Sequence, residues 1–313
     1  MKSPTTTAEM RKMFDAVSNW GRWGKEDERG TLNYLTPDRV AAAGRLVKSG
    51  KQISCARDFP VQPGPENPTP ALHHIVMGGD DPCAHGVPGL EVSLDFIGIA
   101  YHGLASSHID ALCHVFVEGQ MYNGFPATDV RSTGARRNSI MAAKEGIVGR
   151  GVLLDIPRLR GKPFVALDKP VTPEELDAAE KAQHVTVGEG DILLVAVGRD
   201  AQKQHQPHKP GTEFAMAGLD PACIPWLHAR KIAVLGSDAV HDPSPPVHMI
   251  EGWRIPVHMC ALAGMGLHLL DNLYLVDLEK ACADANRWEF LFTVAPLRIA
   301  RGTGSPVNPI AIL

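Results

Sequence analysis

The 313-residue sequence predicts an α/β fold, because short apolar runs typical of buried strands alternate with helical patterns through its second half. Three such runs lie at Ile147 to Ile156, Asp191 to Val197 and Ile232 to Leu235. Helical patterns separate them, at Thr172 to Lys181 and at Pro221 to Arg230. The pattern establishes the α/β class and leaves the order of the strands open.

The first fifty residues are predicted to form a helical N-terminal extension, followed by a single domain over residues 51–313. Thr7 to Val17 carries apolar residues at helical spacing, and Thr36-Pro37-Asp38 is a helix-start pattern with proline in the first turn. Leu90 to Ala100 has the composition of one more buried strand. Five prolines in residues 60–70 indicate an irregular loop ahead of it.

The charge balance argues against negatively charged partners. Lys and Arg total 31 against 35 Asp and Glu, a net charge of −4, which does not suit nucleic acid or an anionic membrane. The N-terminus shows no apolar signal-peptide run, and no later stretch reaches the ~18 apolar residues of a membrane span. Six widely spread cysteines are typical of reduced thiols. We therefore expect a cytoplasmic protein.

The stretch from Tyr101 to His114 concentrates metal-binding and acid–base side chains. It contains His102, His108, Asp110 and His114 within thirteen positions. In an extended segment residues two apart share a face, so His108 and Asp110 can present a nitrogen and an oxygen to one cation. Zinc and manganese both accept such ligands. The alternative is a hydrogen-bonded pair in the core with a surface histidine beyond it, and spacing alone does not decide between the two.

Ser107 to His114 resembles the His-x-Gly-Thr-His-x-Asp-x-x-x-His signature of the cyclase-type metal-dependent hydrolases, the family of bacterial kynurenine formamidase and isatin hydrolase. Four other segments resemble recurring parts of the longer family members: Gly30 to Asn33, Gly190 to Leu194, Pro256 to His258 and Leu270 to Leu273. Together these segments span most of the chain in the family's order.

The resemblance implies a role for each matching residue. His108 and Asp110 resemble the paired metal ligands, and His114 resembles the catalytic histidine that moves protons. Asp271 matches the later carboxylate or amide ligand, with His258 beside it as a ligand or as a neighbour of bound water. The segment between them, Met259 to Leu270, is predicted to be a buried helix that ends at its glycines and turns into a short strand.

Three positions depart from the signature, and the change at the first of them affects the metal. Leu104 stands where the first histidine belongs, and Ser106-Ser107 replaces Gly-Thr. Leucine has no donor atom, so we expect one divalent ion, Mn²⁺ or Zn²⁺, in a site of the isatin hydrolase kind. His102, two positions away, is the weaker candidate to replace the missing ligand.

The family resemblance also implies an architecture and a reaction. The fold is expected to have a mixed, barrel-like β-sheet with surrounding helices, of the swivelling β/β/α type, in homodimers or homotetramers with swapped N-terminal segments. The reaction is hydrolysis of an amide, a cyclic amide or a lactone in a small-molecule substrate by metal-activated water. Two alternatives remain: a non-catalytic binding homologue, suggested by Leu104, and a metal-assisted lyase or dehydratase.

Further residues have weaker signals. Trp20, Trp23, His102 and Ser107 are candidate substrate contacts, although tryptophans beside glycine also serve to anchor a terminal segment. The polar cluster Ser237 to Asp242 follows a strand and is interpreted as a turn.

Histidine pairs and the cysteine of the motif have simpler interpretations. The pairs His73-His74 and His205-x-x-His208 are expected in solvated loops. Cys113 is expected to pack in the core.

Overall fold

The structure is a computed structural model that describes residues 2–81, 84–209 and 214–313. Its described α-helices are α1 (Thr7–Val17), α2 (Pro37–Gly44), α3 (Ile156–Arg160), α4 (Pro173–Ala182), α5 (Arg199–His205), α6 (Cys223–Arg230), α7 (Pro256–His258) and α8 (Val276–Ala285). A π-helical segment, Met259–Met265, continues α7. Within these ranges no helix is long and apolar enough to cross a membrane.

The strands form one large sheet and two small ones. In chain order they are β1 (Gln52–Ser54), β2 (Leu72–Met77), β3 (Leu94–Gly98), β4 (His108–Asp110), β5 (Val130–Arg131), β6 (Gly134–Ala135), β7 (Ile147–Asp155), β8 (Ile192–Ala196), β9 (Val234–Ser237), β10 (His268–Asp271), β11 (Glu289–Val294), β12 (Gly304–Pro306) and β13 (Ile310–Ile312). The nine-stranded sheet has the order β1-β13-β11-β7-β8-β9-β10-β4-β12. β2 pairs with β3, and β5 with β6.

The large sheet confirms the predicted α/β fold with a mixed, curled sheet. Its centre, β7 to β10, is parallel, and the strands on both sides run antiparallel. Every residue of β8 and β9 is buried, as expected for parallel strands covered on both faces. The helices α4 and α6 lie where the sequence predicts them, because their apolar faces pack against this core.

The N-terminal residues contribute to the same core. The Thr6–Glu9 capping box starts α1, which buries Met10, Phe14 and Val17 and packs against α6 and the π-helical segment. The Thr31 amide and hydroxyl both donate to the Gly266 carbonyl. The predicted helices are confirmed, and the domain boundary at residue 50 stays a prediction.

The segment Leu90 to Ala100 differs from its prediction. Only Leu94–Gly98 is a strand, and it is exposed instead of buried, in a two-stranded hairpin with β2. His73 and His74 lie on β2, so their placement in a loop is also corrected. Composition marks a strand-forming segment, but burial depends on what packs against it, which local sequence does not show.

The predicted helix and strand before Asp271 are present. The helix ends at Gly266, which has a left-handed φ of 68°. A Cβ at that position would lie 2.5 Å from the Tyr122 ring, so glycine permits both the turn and the close packing. The chain then enters β10, whose last residue is Asp271.

Candidate metal centre

Strand pairing brings the two distant motifs together. β4 runs antiparallel to β10, with His108 opposite Asp271 and Asp110 opposite Leu269. β10 in turn lies beside β9, and the polar cluster that includes His241 follows the end of β9. Strand ends of this kind commonly line sites in α/β folds. The result is a shared cavity for residues more than 150 positions apart in the sequence.

Asp110 lies at the centre of the cluster, fully buried, with histidines on both sides. Its Oδ1 is 3.0 Å from Nδ1 of His102, 3.5 Å from Nε2 of His108 and 3.9 Å from Nε2 of His114. Its Oδ2 lies 3.8 Å from Nε2 of His258. The two oxygens of one carboxylate therefore face two different sets of donors.

Asp271 makes a second set of close approaches. Its Oδ2 lies 3.2 Å from Nε2 of His258, and its Oδ1 lies 3.2 Å from Nε2 of His241. The opposite nitrogen of His258, Nδ1, donates to Asp242 Oδ2 over 2.6 Å. The Asp242 carboxylate also accepts from the backbone amides of Val257 and His258. His258 is thus held with Nε2 directed at Asp271.

The hydrogen bonding of this cluster is incomplete. Several buried atoms have no hydrogen-bond partner among the described residues: both oxygens of Asp110, Oδ1 of Asp271, both ring nitrogens of His241 and Nδ1 of His102. Buried polar atoms are nearly always hydrogen-bonded, because leaving one unpaired costs several kcal/mol. Four of them form two close pairs, Asp110 Oδ1 with Nδ1 of His102 at 3.0 Å and Asp271 Oδ1 with Nε2 of His241 at 3.2 Å, and a cation would bridge such distances.

The donor geometry fits a divalent cation. Ligand atoms within 4.8 Å of one another form two groups that share Asp110: His102, His108 and Asp110 in one, and Asp110, His258 and Asp271 in the other. Imidazole nitrogen with carboxylate oxygen suits zinc or manganese. The structure thus brings all four predicted ligands together and adds His102, at the position expected to be the weaker substitute for Leu104.

The electrostatics also favour a cation. Burial alone would raise the pKa of Asp271, but His258 and His241 outweigh it and hold the pKa well below its usual value. For Asp110, the contributions of His102, His108 and His114 likewise overcome burial and lower the pKa. Buried carboxylates that stay ionised need positive charge close by.

His114 lies at the solvent side of the cluster together with His102. The His114 side chain is 31% exposed and that of His102 is 28% exposed, whereas those of His108 and Asp110 are buried. The ring stacks on His102, with centroids 4.0 Å apart and planes 5° from parallel. Burial within the protein is the main effect that lowers the pKa of His114, so its imidazole is neutral at pH 7. His114 is therefore a neutral, partly exposed imidazole at the edge of the cluster.

A pocket of about 210 Å³ opens onto these groups. His108, Asp110, His114, His258 and Asp271 form its polar end. Its walls are largely apolar and include Leu104, Val240, Pro243, Pro246 and Ile255, with Ser244 and Arg254. An apolar pocket with a few convergent polar groups is the usual form of a small-molecule site.

Two predicted substrate contacts take other positions. The Ser107 hydroxyl donates to the Asn272 carbonyl over 2.7 Å and accepts from the Arg57 amide over 2.9 Å, so it ties strands together outside the pocket lining. His102 belongs to the donor cluster itself. Both residues are therefore near the site without forming its wall.

The two tryptophans lie against the N-terminal segment. Nε1 of Trp20 donates to the Ala263 carbonyl, and its ring contacts Phe14 edge-on. Trp23 packs edge-on against Tyr34, with centroids 5.1 Å apart. Neither lines the pocket of its own chain, and both positions match the alternative role as anchors.

His241 and Asp242 are the site residues that sequence reasoning did not assign. Their cluster was interpreted as a polar turn, and the structure corrects this, because both side chains are buried against His258 and Asp271. The available signal was their position directly after a buried strand of an α/β fold. His205, predicted in a solvated loop, is exposed but forms the last residue of α5. Cys113 is buried in the core as predicted.

Comparison with known proteins identifies relatives of this chain. The Cyclase family model matches residues 55–241. The crystal structure of a novel cyclase is 30% identical, with a TM-score of 0.86 over 96% of this chain and 99% of that one. Isatin hydrolase A from Labrenzia aggregata, bound to benzyl benzoate, is 20% identical (TM-score 0.56; 83% of this chain, 93% of that one).

Isatin hydrolase A from Ralstonia solanacearum is 19% identical, with a TM-score of 0.57 over 88% of this chain and 98% of that one. A search of the curated proteins gives no match. The isatin hydrolases share the fold, while the family model and the 30%-identical structure establish kinship. This chain belongs to the Cyclase family.

Proposed function

We propose that this protein is a metal-dependent hydrolase that opens an amide, a cyclic amide or a lactone with water. One observation carries the proposal: buried, unpartnered carboxylate and imidazole atoms converge at the end of an open pocket, beside the accessible ring of His114. A divalent cation, Mn²⁺ or Zn²⁺, supplies Lewis acidity when bound there, polarising a carbonyl and lowering the pKa of water.

The ligands are assigned by their position and their free atoms. Asp110 and Asp271 provide oxygens from two adjacent strands, and His108 provides Nε2, because its Nδ1 lies 2.8 Å from the Ser106 carbonyl and donates to it. His258 presents Nε2, since Nδ1 is committed to Asp242. Such outer partners fix the tautomer and orientation of a ligand. We propose one tightly held ion, as expected from the sequence.

His114 is proposed as the proton carrier. Its Nε2 lies at the polar end of the pocket, and its ring is held by the stack on His102. From there a neutral imidazole takes a proton from the attacking water and returns it to the leaving nitrogen or oxygen. One residue thereby serves both halves of the reaction.

The pocket walls define the rest of the substrate. Leu104, Val240 and Ile255 offer an apolar surface opposite the polar end. This arrangement excludes water around the body of a compact substrate while its carbonyl reaches the donor cluster. The fold relatives named isatin hydrolase act on a cyclic amide, which supports that class as the first one to test.

The decisive experiment identifies the product in oxygen-labelled water. Metal-loaded protein is incubated with aryl formamides, cyclic amides and lactones in H₂¹⁸O, and chelator-stripped protein is the control. We expect ¹⁸O in the carboxylate of a ring-opened or deformylated product. An unlabelled elimination product would indicate a lyase, and saturable binding without turnover across the panel would indicate a binding protein; either result refutes the proposal.

A further inference from the structure

Arg199 is a buried arginine beside the metal centre, and only 2% of the residue is exposed. It is the first residue of α5, where its backbone amide donates to the buried Asp238 carboxylate. The same carboxylate accepts the amides of Val197 and Gly198. Burial, with a smaller effect of Arg57, lowers the pKa of the Arg199 guanidinium to about 10, so it remains a cation at pH 7. A buried cation of this kind needs specific acceptors.

Both terminal nitrogens of Arg199 find acceptors next to the proposed site. Nη1 donates to Oδ1 of Asn272 over 2.7 Å, and Nη2 donates to the Leu104 carbonyl. Asn272 directly follows the proposed ligand Asp271 in the chain, and Leu104 lines the pocket. One guanidinium therefore joins the end of β10 to the loop that precedes β4.

The Asn272 side chain continues this connection to His108. Its Nδ2 donates to the Gly103 carbonyl over 2.8 Å and to the Ser106 carbonyl over 3.2 Å. The Ser106 carbonyl also accepts Nδ1 of His108 over 2.8 Å, which leaves Nε2 of that ring for a cation. A carbonyl oxygen has two lone pairs, so it can accept both donors. Three hydrogen bonds thus connect Arg199 to a proposed metal ligand.

The amide of Asn272 depends on a donor at its oxygen. A guanidinium only donates hydrogen bonds, so it pairs with Oδ1 and leaves the amide nitrogen for the two loop carbonyls. Hydrogen bonds in such a chain polarise and strengthen one another. The backbone of Asn272 is held separately, because its carbonyl accepts the Ser107 hydroxyl and Nε of Arg57. Loss of Arg199 should therefore disturb the amide and the loop, while the strand end stays in place.

We propose that Arg199 is a positioning residue of the metal centre, which sets the tautomer and the direction of His108 through Asn272 and the Ser106 carbonyl. Arg199 is not among the described residues that line the pocket or form the donor groups. Its role is that of an outer partner, whose loss typically costs 10- to 100-fold in metal affinity. This inference rests on the proposed metal site and extends it to a residue that touches no ligand directly.

The first test measures the affinity of the full-length protein for Zn²⁺ and for Mn²⁺ by competition with a chelator dye. Arg199→Met removes the donors and keeps a long side chain, so it should weaken binding roughly 10-fold. Arg199→Lys keeps the charge without the planar fork and should recover part of that loss. Arg160→Met is the matched control, since Arg160 binds Glu175 and the carbonyls of Lys169 and Pro170.

Urea unfolding of the chelator-stripped proteins separates positioning from stability. Both methionine variants should be less stable than the native protein, but only Arg199→Met should lose metal affinity. Native affinity in Arg199→Met would overturn the proposal, as would an equal loss in Arg160→Met. A native protein that binds neither ion would refute the metal site itself, so the two failures are distinguishable.

The second test needs no metal. NMR of chelator-stripped protein with ¹⁵N-labelled histidine shows which ring nitrogen carries the proton, and His108→Gln identifies the His108 signals. The native ring should carry its proton on Nδ1, whereas Arg199→Met and, to a smaller extent, Arg199→Lys should show a mixture of tautomers. Arg199→Lys keeps the test available if Arg199→Met does not fold. A native-like His108 signal in every folded variant of Arg199, or a native ring protonated on Nε2, would overturn the proposal.

Discussion

Asp242 accepts a 2.6 Å hydrogen bond from Nδ1 of His258, and the same carboxylate accepts the backbone amides of Val257 and His258. Through these three bonds a residue outside the donor groups sets the direction of the His258 ring. The carboxylate also favours the tautomer with the proton on Nδ1, which leaves Nε2 free for a cation.

Asp242→Asn is therefore expected to weaken metal binding without emptying the site. Loss of such a partner typically costs 10- to 100-fold in metal affinity, because the ligand loses basicity and orientation. Competition with a chelator dye measures the affinity. Asp284→Asn, on the exposed end of α8, is the matched control and should bind metal like the native protein. Equal affinities in the two variants would remove Asp242 from this role.

The metal count tests how the two donor groups are used. We expect close to one manganese or zinc ion per chain by elemental analysis after gel filtration. Because both groups share Asp110, Asp110→Ala should abolish binding altogether. His102→Asn should leave the count at one. Two ions in the native protein that fall to one in His102→Asn would show that His102 takes the place of the histidine missing at Leu104.

His114→Ala should separate catalysis from metal binding. The ring lies 3.9 Å from Asp110, at the exposed side of the cluster, so its loss should retain the metal. Turnover should fall roughly 10²- to 10⁴-fold, the usual contribution of general acid–base catalysis. His205→Ala, an exposed histidine at the end of α5, serves as the control. Simultaneous loss of metal would make His114 a ligand.

The sequence predicts the helices and the core strands well, because each is marked by a pattern of a few neighbouring residues. The Thr6–Glu9 capping box and the apolar run of β8 need no knowledge of distant residues. The β2–β3 hairpin shows the limit: composition marks Leu94–Gly98 as strand-forming, but the structure places this strand at the surface and not in the core. Sequence composition does not distinguish the two cases.

The candidate site also contains residues that the sequence identifies and one that only the structure identifies. His108, Asp110 and His114 stand out because they are close in sequence, and family resemblance adds His258 and Asp271 and the role of each residue. His241 lies in a polar cluster that is also typical of a turn, and its place 3.2 Å from Asp271 follows only from the order β9-β10-β4. Strand order is set by packing over the whole sheet, which a local pattern does not contain.

Asn272 is expected to be a key residue for stability next to the site. Its side-chain amide donates to the Gly103 and Ser106 carbonyls and accepts from Arg199, while its backbone has a left-handed φ of 55°. Asn272→Gly should destabilise the protein by about 3 kcal/mol, because several buried polar groups lose partners. Asn272→Ala should cost roughly 1 kcal/mol more, since alanine is strained in that conformation.

Urea unfolding of both variants measures these differences. Asn286, also left-handed but at the end of α8, provides the control. Asn286→Gly should leave the free energy of unfolding nearly unchanged, and Asn286→Ala should lower it only by the cost of holding alanine in the left-handed conformation. If Asn272→Gly were as stable as the native protein, the hydrogen bonds from the Asn272 side chain to the loop at residues 103–106 would make no contribution to stability.

Asp191 should make stability depend on pH between about pH 4 and pH 6. Burial raises the pKa of this carboxyl from 3.8 to about 6, against the opposing effect of Arg150 at 2.6 Å. A raised acid pKa means that the folded state holds its proton more tightly than the unfolded state. The contribution of this carboxyl to the free energy of unfolding is therefore fully present below about pH 4, and it is lost as the pH rises through about 6.

Asp191→Asn removes this titration while keeping a side chain of the same size, and Arg150 retains Glu289 as a partner. The stability of the native protein relative to Asp191→Asn should therefore fall by about 1–3 kcal/mol from pH 4 to pH 6.5. Urea unfolding at several pH values measures the difference. Asp168→Asn, in an exposed loop, should follow the native curve throughout. A relative stability that rises over this range would show that Arg150, and not burial, dominates at Asp191.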